Sequence, residues 1–134
     1  MEAAVRRLVR ERADNCCEYC RLSQAIAPAA TFQIEHIRAK QHGGESELEN
    51  LALACPRCNA YKGPNLSAID PESDQTVLIF NPRTQVWNEH FMLLGIEILG
   101  ITGTGRATTQ LLHMNDVERL EMREILKERG ESDI

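Results

Sequence analysis

Two cysteine pairs with the spacing Cys-x-x-Cys constrain this chain more than any other feature: Cys17 with Cys20, and Cys55 with Cys58. Such a pair presents two thiolates on a tight turn, called a knuckle, and two knuckles supply the four soft ligands of a tetrahedral zinc site. The five cysteines would also allow two disulfides and a spare. We favour zinc because of the knuckle spacing and because no apolar run follows the basic residues near the N-terminus, as it would in a signal peptide. Reduced, metal-bound thiolates in turn indicate a cytoplasmic protein.

Length and composition indicate one small domain of 134 residues with a C-terminal appendage. Hydrophobic residues make up 43% but aromatic residues only 4%, so a bound metal would help such a core to be stable. No stretch is long and apolar enough to suggest a membrane span. The remaining cysteine, Cys16, is interpreted as a small, partly buried side chain, although a redox role or a role as substitute ligand is an alternative.

The sequence of the first half predicts, in order, a helix, a strand, a loop, a second strand and a second helix. Residues 2–13 read as a helix with Val5, Leu8, Val9 and Arg12 on one face. Arg6, Arg7 and Arg10 point elsewhere, either toward phosphate or simply toward solvent. The remaining predicted elements are a short helix or loop at 23–30, a strand at 31–37, a polar loop at 38–50, a strand at 51–54 and a helix from Pro56 that ends at Gly63-Pro64.

The second half predicts hairpins and two helices. A strand at 77–80 is expected to pair with 85–87, and 90–94 and 96–101 are further strand candidates. Residues 106–113 are a helix candidate after turns at Gly103 and Gly105. Asn115-x-x-Glu118 resembles a capping box that opens a last helix to about Arg129. An apolar stripe of Val117, Leu120 and Leu126 is expected on that helix.

The stretch from Cys17 to Gly63 resembles the HNH endonuclease family, the zinc-bearing branch of the ββα-metal nucleases. The residues that carry the resemblance are Cys17, Cys20, Glu35-His36-Ile37, Gly43-Gly44, Glu49-Asn50-Leu51, Cys55, Cys58, Asn59 and Lys62-Gly63. The segment from Asp70 to Phe91 also looks like the continuation found in stand-alone bacterial members. The resemblance implies a single α+β domain with a ββα-metal core at about 14–64 and a four-cysteine structural zinc. An N-terminal helix and a C-terminal extension at about 65–134, with a hairpin and a helix, flank this core.

The resemblance also implies the chemistry. By this resemblance, we expect the chain to be a metal-dependent endodeoxyribonuclease that leaves 3′-hydroxyl and 5′-phosphate ends. His36 would be the general base, and Glu35 and Asn59 would hold a Mg²⁺ or Mn²⁺ ion through the hard oxygen ligands that such ions prefer. Asn50 would fix the backbone of His36 by hydrogen bonds. Strict alternation along the strand places Glu35 and His36 on opposite faces, whereas the resemblance implies that they converge at one phosphate.

Four more residues are candidate phosphate contacts: Lys62, His42, Arg83 and His90. For His42 an exposed loop position is the alternative, and Arg83 and His90 could equally support the hairpin. Three side chains of the first knuckle are expected on its surface: Glu18, Tyr19 and Arg21.

DNA is the expected partner, although the net charge of −5 weakly opposes it. The acidic excess lies in the second half, since residues 1–62 hold 9 Lys and Arg against 8 Asp and Glu, and residues 63–134 hold 6 against 12. The alternative function is a catalytically inactive, zinc-stabilised module that binds nucleic acid or protein.

Overall fold

The computed structural model describes residues 1–130, which form five α-helices and six short strands. In chain order the elements are α1 Ala3–Arg12, β1 Gln33–His36, β2 Leu51–Ala54, α2 Pro56–Lys62, β3 Ser67–Ile69, β4 Thr76–Leu78, α3 Trp87–His90, β5 Phe91–Leu94, β6 Glu97–Gly100, α4 Gly103–Leu111 and α5 Val117–Glu128. The strands pair as three antiparallel hairpins, β1 with β2, β3 with β4 and β5 with β6. The predicted α+β class is therefore confirmed. Within residues 1–130, none of the helices has the length and apolar character needed to cross a membrane.

The ββα unit predicted from the sequence is present. β1 and β2 pair in a register that places His36 opposite Leu51 and Gln33 opposite Ala54. Helix α2 follows β2 at once, with Cys55 as N-cap and Pro56 in its first turn, where a missing N–H is harmless. The four residues of β2 are all buried, so this strand lies at the centre of the domain.

The hydrophobic core surrounds β2 and the four cysteines. It draws on the N-terminal helix, the ββα unit and the C-terminal extension, and it includes Val9, Leu22, Phe32, Leu51, Leu53, Phe80, Trp87, Phe91, Ile98, Leu112, Met114 and Leu126. Trp87 is buried, and its indole Nε1 donates to the carbonyl of Tyr19 at 2.7 Å. The extension is thus packed against the first knuckle rather than set apart from it.

Two arginines of α1 bond to backbone carbonyls of the ββα unit. The Arg10 guanidinium donates to the carbonyl of Phe32 at 3.0 Å, and Arg12 donates to the carbonyls of Leu48 at 2.9 Å and Leu51 at 2.6 Å. The apolar face of the helix is narrower than predicted, since Leu8 is 46% exposed.

One predicted hairpin is wrong. β4 pairs with β3, a strand inside the segment interpreted as turns, and not with residues 85–87. Trp87 instead opens the short helix α3. The error arose because the apolar run at 77–80 marks a strand but does not identify its partner.

The predicted starts of the last two helices are also wrong. α4 begins at Gly103, because the Thr102 hydroxyl accepts from the amide of Gly105 and caps the helix. Gly105 itself packs so closely that a Cβ there would lie 1.9 Å from the carbonyl oxygen of His90. The N-cap of α5 is Asp116, whereas the Asn115 side chain bonds both backbone groups of Ile98. The predicted apolar stripe fails at its first member, since Val117 is 72% exposed.

Candidate active site and metal centre

The four knuckle cysteines meet in one buried cluster. Their sulfur atoms all lie within 4.8 Å of one another. Cys20 Sγ and Cys55 Sγ are 3.7 Å apart, close to the separation of about 3.8 Å between two ligands of a tetrahedral zinc with bonds of about 2.3 Å. The backbone amides of Cys20 and Cys58 approach Cys17 Sγ and Cys55 Sγ at 3.5 and 3.4 Å, which stabilises negative sulfur. The donor set fits a structural zinc ion, because four thiolates fill its tetrahedral shell.

His36 stands half-buried at the end of β1. Its Nε2 lies 2.8 Å from the hydroxyl of Ser46, in the loop that connects the two strands. Partial burial, together with the positive charges of Lys40 and Lys62, lowers the pKa of His36. The imidazole is therefore neutral at physiological pH, the form in which it can accept a proton.

Glu35 is 6% exposed and sits on the opposite face of β1 from His36. One carboxylate oxygen accepts from the hydroxyl of Tyr19, and the other lies 3.1 Å from the ammonium of Lys62. Burial raises the pKa of Glu35, while Lys62 and Tyr19 act in the opposite direction. The strand alternation read from the sequence thus holds, with Glu35 inside and His36 outside.

Lys62 connects this buried pair to the backbone of the strand end. Its side chain is 1% exposed, and its ammonium donates to the carbonyls of His36 at 3.3 Å and Ile37 at 2.8 Å. The geometry does not support the predicted contact of Lys62 with phosphate. Each of the three protons of the Lys62 ammonium already has a partner inside the protein. Lys62 anchors the backbone that carries His36.

Asn50 ties the connecting loop together. Its Oδ1 accepts from the amide of Arg38 at 2.9 Å, and its Nδ2 donates to the carbonyls of Arg38 at 3.0 Å and Glu45 at 2.9 Å. Gly44 makes this loop possible, because a Cβ there would lie 1.8 Å from the carbonyl oxygen of Arg38. The backbone carbonyl of Asn50 also accepts from the amide of Ile37 at 2.9 Å. The side chain and the backbone of Asn50 therefore both hold the segment that follows His36.

Asn59 lies on α2, where that helix faces β1. Its Nδ2 donates to Oε1 of Gln33, which leaves its own Oδ1 available as a ligand. Gln33 and Glu35 are two residues apart in the strand and share a face. Through its bond to Gln33, Asn59 therefore lies on the same face of β1 as Glu35.

Comparison with known protein families finds a match for the stretch that contains the two knuckles and the ββα unit. The model of the family described as HNH endonuclease matches residues 17–65. We call residues 17–65, the stretch that this model matches, the HNH domain. The resemblance stated from the sequence is confirmed over this stretch, and an HNH domain implies a nuclease-type function.

The chain is also similar to the Septu protein PtuB of Bacillus thuringiensis, with 28% identity over 114 residues. The match covers 82% of this chain and 40% of the relative, so the chain spans less than half the length of that protein. No solved structure matches the chain.

The other candidate phosphate contacts lie in different settings. His42 is exposed on the loop inside the HNH domain. Arg83, from the extension, is mostly buried and pairs with Glu18, and burial lowers the pKa of Arg83 to about 10. His90 is half-buried, and its Nδ1 lies 2.7 Å from the hydroxyl of Thr102. In this structure Arg83 and His90 support the packing of the extension.

Sequence reasoning missed the inward side chains of the first knuckle. Glu18 and Tyr19 are buried, not on the knuckle surface as predicted. Glu18 accepts from the amide of Leu53 at 2.8 Å and bonds the central strand to the knuckle. The sequence holds no clear signal for this burial, because Glu35 stands next to His36 and Lys62 next to Gly63, and neither lies in an apolar run.

Proposed function

We propose that this chain is a metal-dependent endonuclease that hydrolyses DNA phosphodiester bonds and leaves 3′-hydroxyl and 5′-phosphate ends. The observation that carries the proposal is a half-exposed, neutral His36 at the strand end of an HNH domain. Hydrolysis needs a base that takes a proton from water, and an imidazole with a lowered pKa serves at neutral pH.

Asn59 and Glu35 are the proposed protein ligands of a Mg²⁺ or Mn²⁺ ion. Within residues 1–130 the Oδ1 of Asn59 accepts no hydrogen bond, and the Glu35 carboxylate keeps a second lone pair on each oxygen beside Tyr19 and Lys62. Amide and carboxylate oxygens suit hard divalent ions. When bound, such an ion supplies positive charge to the scissile phosphate.

DNA is the proposed partner, and the loop after His36 is its proposed contact surface. Arg38, Lys40 and His42 are all exposed in this loop, and the charge of Lys40 reaches the His36 ring. Basic side chains next to the reacting group attract the phosphate backbone, whatever the net charge of the chain. A cytoplasmic location is proposed with it, since zinc-bound thiolates require a reducing compartment.

A plasmid-nicking assay tests the proposed function directly. Purified protein should convert supercoiled plasmid to nicked or linear DNA in Mg²⁺ or Mn²⁺. Brief EDTA treatment should stop the reaction and added Mn²⁺ should restore it, because two hard ligands hold the catalytic ion weakly. Zinc, in four thiolates, should remain bound throughout by elemental analysis. Absence of cleavage with zinc and fold intact would support the alternative of an inactive, zinc-stabilised interaction module.

His36→Ala should lower the cleavage rate by at least about 10²-fold, the usual scale for loss of a general base. The variant should keep its fold and zinc, because the His36 side chain bonds only to Ser46 among the described residues. The wild-type rate should rise with pH as His36 loses its proton. It should reach its plateau at a pH below about 6.5, since the His36 pKa is lowered from that ordinary value. His42→Ala is the matched control on an exposed loop histidine. Near-normal cleavage by His36→Ala would assign water activation to another group.

A further inference from the structure

Helix α5 reaches the metal centre through an arginine. Arg119 is fully buried, although it lies on a surface helix outside the HNH domain. Its Nη1 donates to Cys58 Sγ at 3.0 Å, its Nε lies 3.3 Å from an Asp116 carboxylate oxygen, and its Nη2 donates to the carbonyl of Leu112. The guanidinium is thus held in place from three sides, with one N–H directed at a zinc ligand.

A second buried arginine follows one turn later on the same helix. Arg123 is 4% exposed and donates to the carbonyl of Ile96 at 3.1 Å and to Asn115 Oδ1 at 3.3 Å. Burial lowers the pKa of Arg123, and the negative charge of Cys20 and Cys58 opposes this effect. Both guanidinium groups therefore lie within the electrostatic reach of the cysteine cluster.

The charge of the metal centre explains two arginines in an apolar interior. Zinc in four thiolates carries a net charge of −2, and a buried charge without a partner is strongly disfavoured. Two guanidinium groups supply +2 at the same place. Hydrogen bonds to metal ligands from neighbouring groups also orient the ligands and hold the metal more tightly.

We propose that Arg119 is an outer-sphere partner of the zinc centre, through which helix α5 both retains the metal and docks on the HNH domain. The Cys58 thiolate is the contact point. The zinc then stabilises more than the two knuckles, because the C-terminal helix depends on its charge.

Arg57 offers a matched control in the same interface. It also joins α2 to α5, through ion pairs with Asp116 at 3.1 Å and with Glu118. Its side chain is 41% exposed, and within residues 1–130 none of its hydrogen bonds or ion pairs is with a sulfur atom. Replacing Arg57 weakens helix docking without removing charge from the metal centre.

The test is the rate at which zinc passes to a chromogenic chelator from Arg119→Gln, Arg119→Lys and Arg57→Gln, with circular dichroism as the check on folding. Arg119→Gln should release zinc about 10-fold faster than wild type, the lower end of the usual outer-sphere effect. Arg119→Lys, which keeps the charge, should be slower than Arg119→Gln. Arg57→Gln should stay near wild type. Equal rates for the Gln and Lys variants of Arg119, or equal acceleration by Arg57→Gln, would overturn the proposal.

Cobalt substitution provides a second measurement that a purely structural role would not change. A hydrogen bond to sulfur stabilises its lone pairs, so loss of the Arg119 donor should move the sulfur-to-cobalt charge-transfer bands to lower energy. Arg57→Gln should leave these bands in place. If Arg119→Gln does not fold, the bands of Arg119→Lys decide, since the exchange of a planar fork for a point charge should shift them. Bands identical to wild type would overturn the proposal.

Discussion

Cys17→Ser is expected to leave the chain without zinc and without its fold. The four sulfur atoms lie together in the core, and the first knuckle contacts α1, β2 and the extension. A structural zinc contributes roughly 10–16 kcal/mol of apparent binding free energy in small domains. That is comparable to the roughly 5–15 kcal/mol by which a whole domain is stable, so loss of one ligand should be decisive. Elemental analysis and near-ultraviolet circular dichroism measure the two consequences.

Cys16→Ser is the control, because Cys16 is the immediate neighbour of Cys17 in the chain and lies outside the four-cysteine cluster. Its backbone is held by a bridge to Ser23, which the substitution leaves in place. This variant should retain one zinc per chain and a wild-type spectrum. A folded, zinc-free Cys17→Ser protein would show that the fold does not depend on the metal, and loss of zinc from Cys16→Ser would exchange the roles of the two residues.

Breaking the Glu35–Lys62 pair is expected to have the second large effect. Both side chains are buried, at 4% and 1% exposure, with 3.1 Å between the charged atoms. Lys62→Met would leave the Glu35 carboxylate charged and buried beside only Tyr19, which usually destabilises a protein by about 3–5 kcal/mol. It would also free the carbonyls of His36 and Ile37. Urea unfolding measures the loss, and His36 should become less well positioned as a base.

The double variant Glu35→Gln, Lys62→Met separates the pair from its members. Because it removes both charges together, it should recover much of the stability that either single change loses. Arg57→Met is the reference for an exposed ion pair and should cost less than about 1 kcal/mol. A Lys62→Met protein as stable as Arg57→Met would contradict a structural role for the buried pair.

The double variant also tests the proposed second role of Glu35. If the Glu35 carboxylate holds the catalytic ion, the folded double variant should need more Mn²⁺ for half-maximal cleavage than wild type. Asn59→Ala, which leaves the buried pair intact, should show the same shift. An unchanged Mn²⁺ midpoint in the double variant would mean that Glu35 acts only as an anchor for the strand.

Local pattern and spacing determined the elements that depend on neighbours in the chain. The two Cys-x-x-Cys spacings predicted the metal cluster, because each pair lies within one turn and needs no distant partner to be recognised. Alternation predicted that Glu35 and His36 lie on opposite faces of β1, whereas only the structure shows that Glu35 is the buried one. Pro56 and Gly63 marked both ends of α2. The family resemblance supplied the proposed chemistry, and the match of residues 17–65 supports a nuclease-type function.

Tertiary structure decided the partners of buried charges and of strands. Lys62 is a candidate phosphate contact from the sequence, but its side chain points into the domain. There its ammonium pairs with Glu35 and donates to two backbone carbonyls, and only the tertiary structure brings these partners together. β4 paired with β3 rather than with the next segment, because pairing is chosen by packing and not by the alternation within one strand. Arg119 of α5 is buried, because a thiolate 61 residues earlier in the chain gives its charge a partner that no local pattern could indicate.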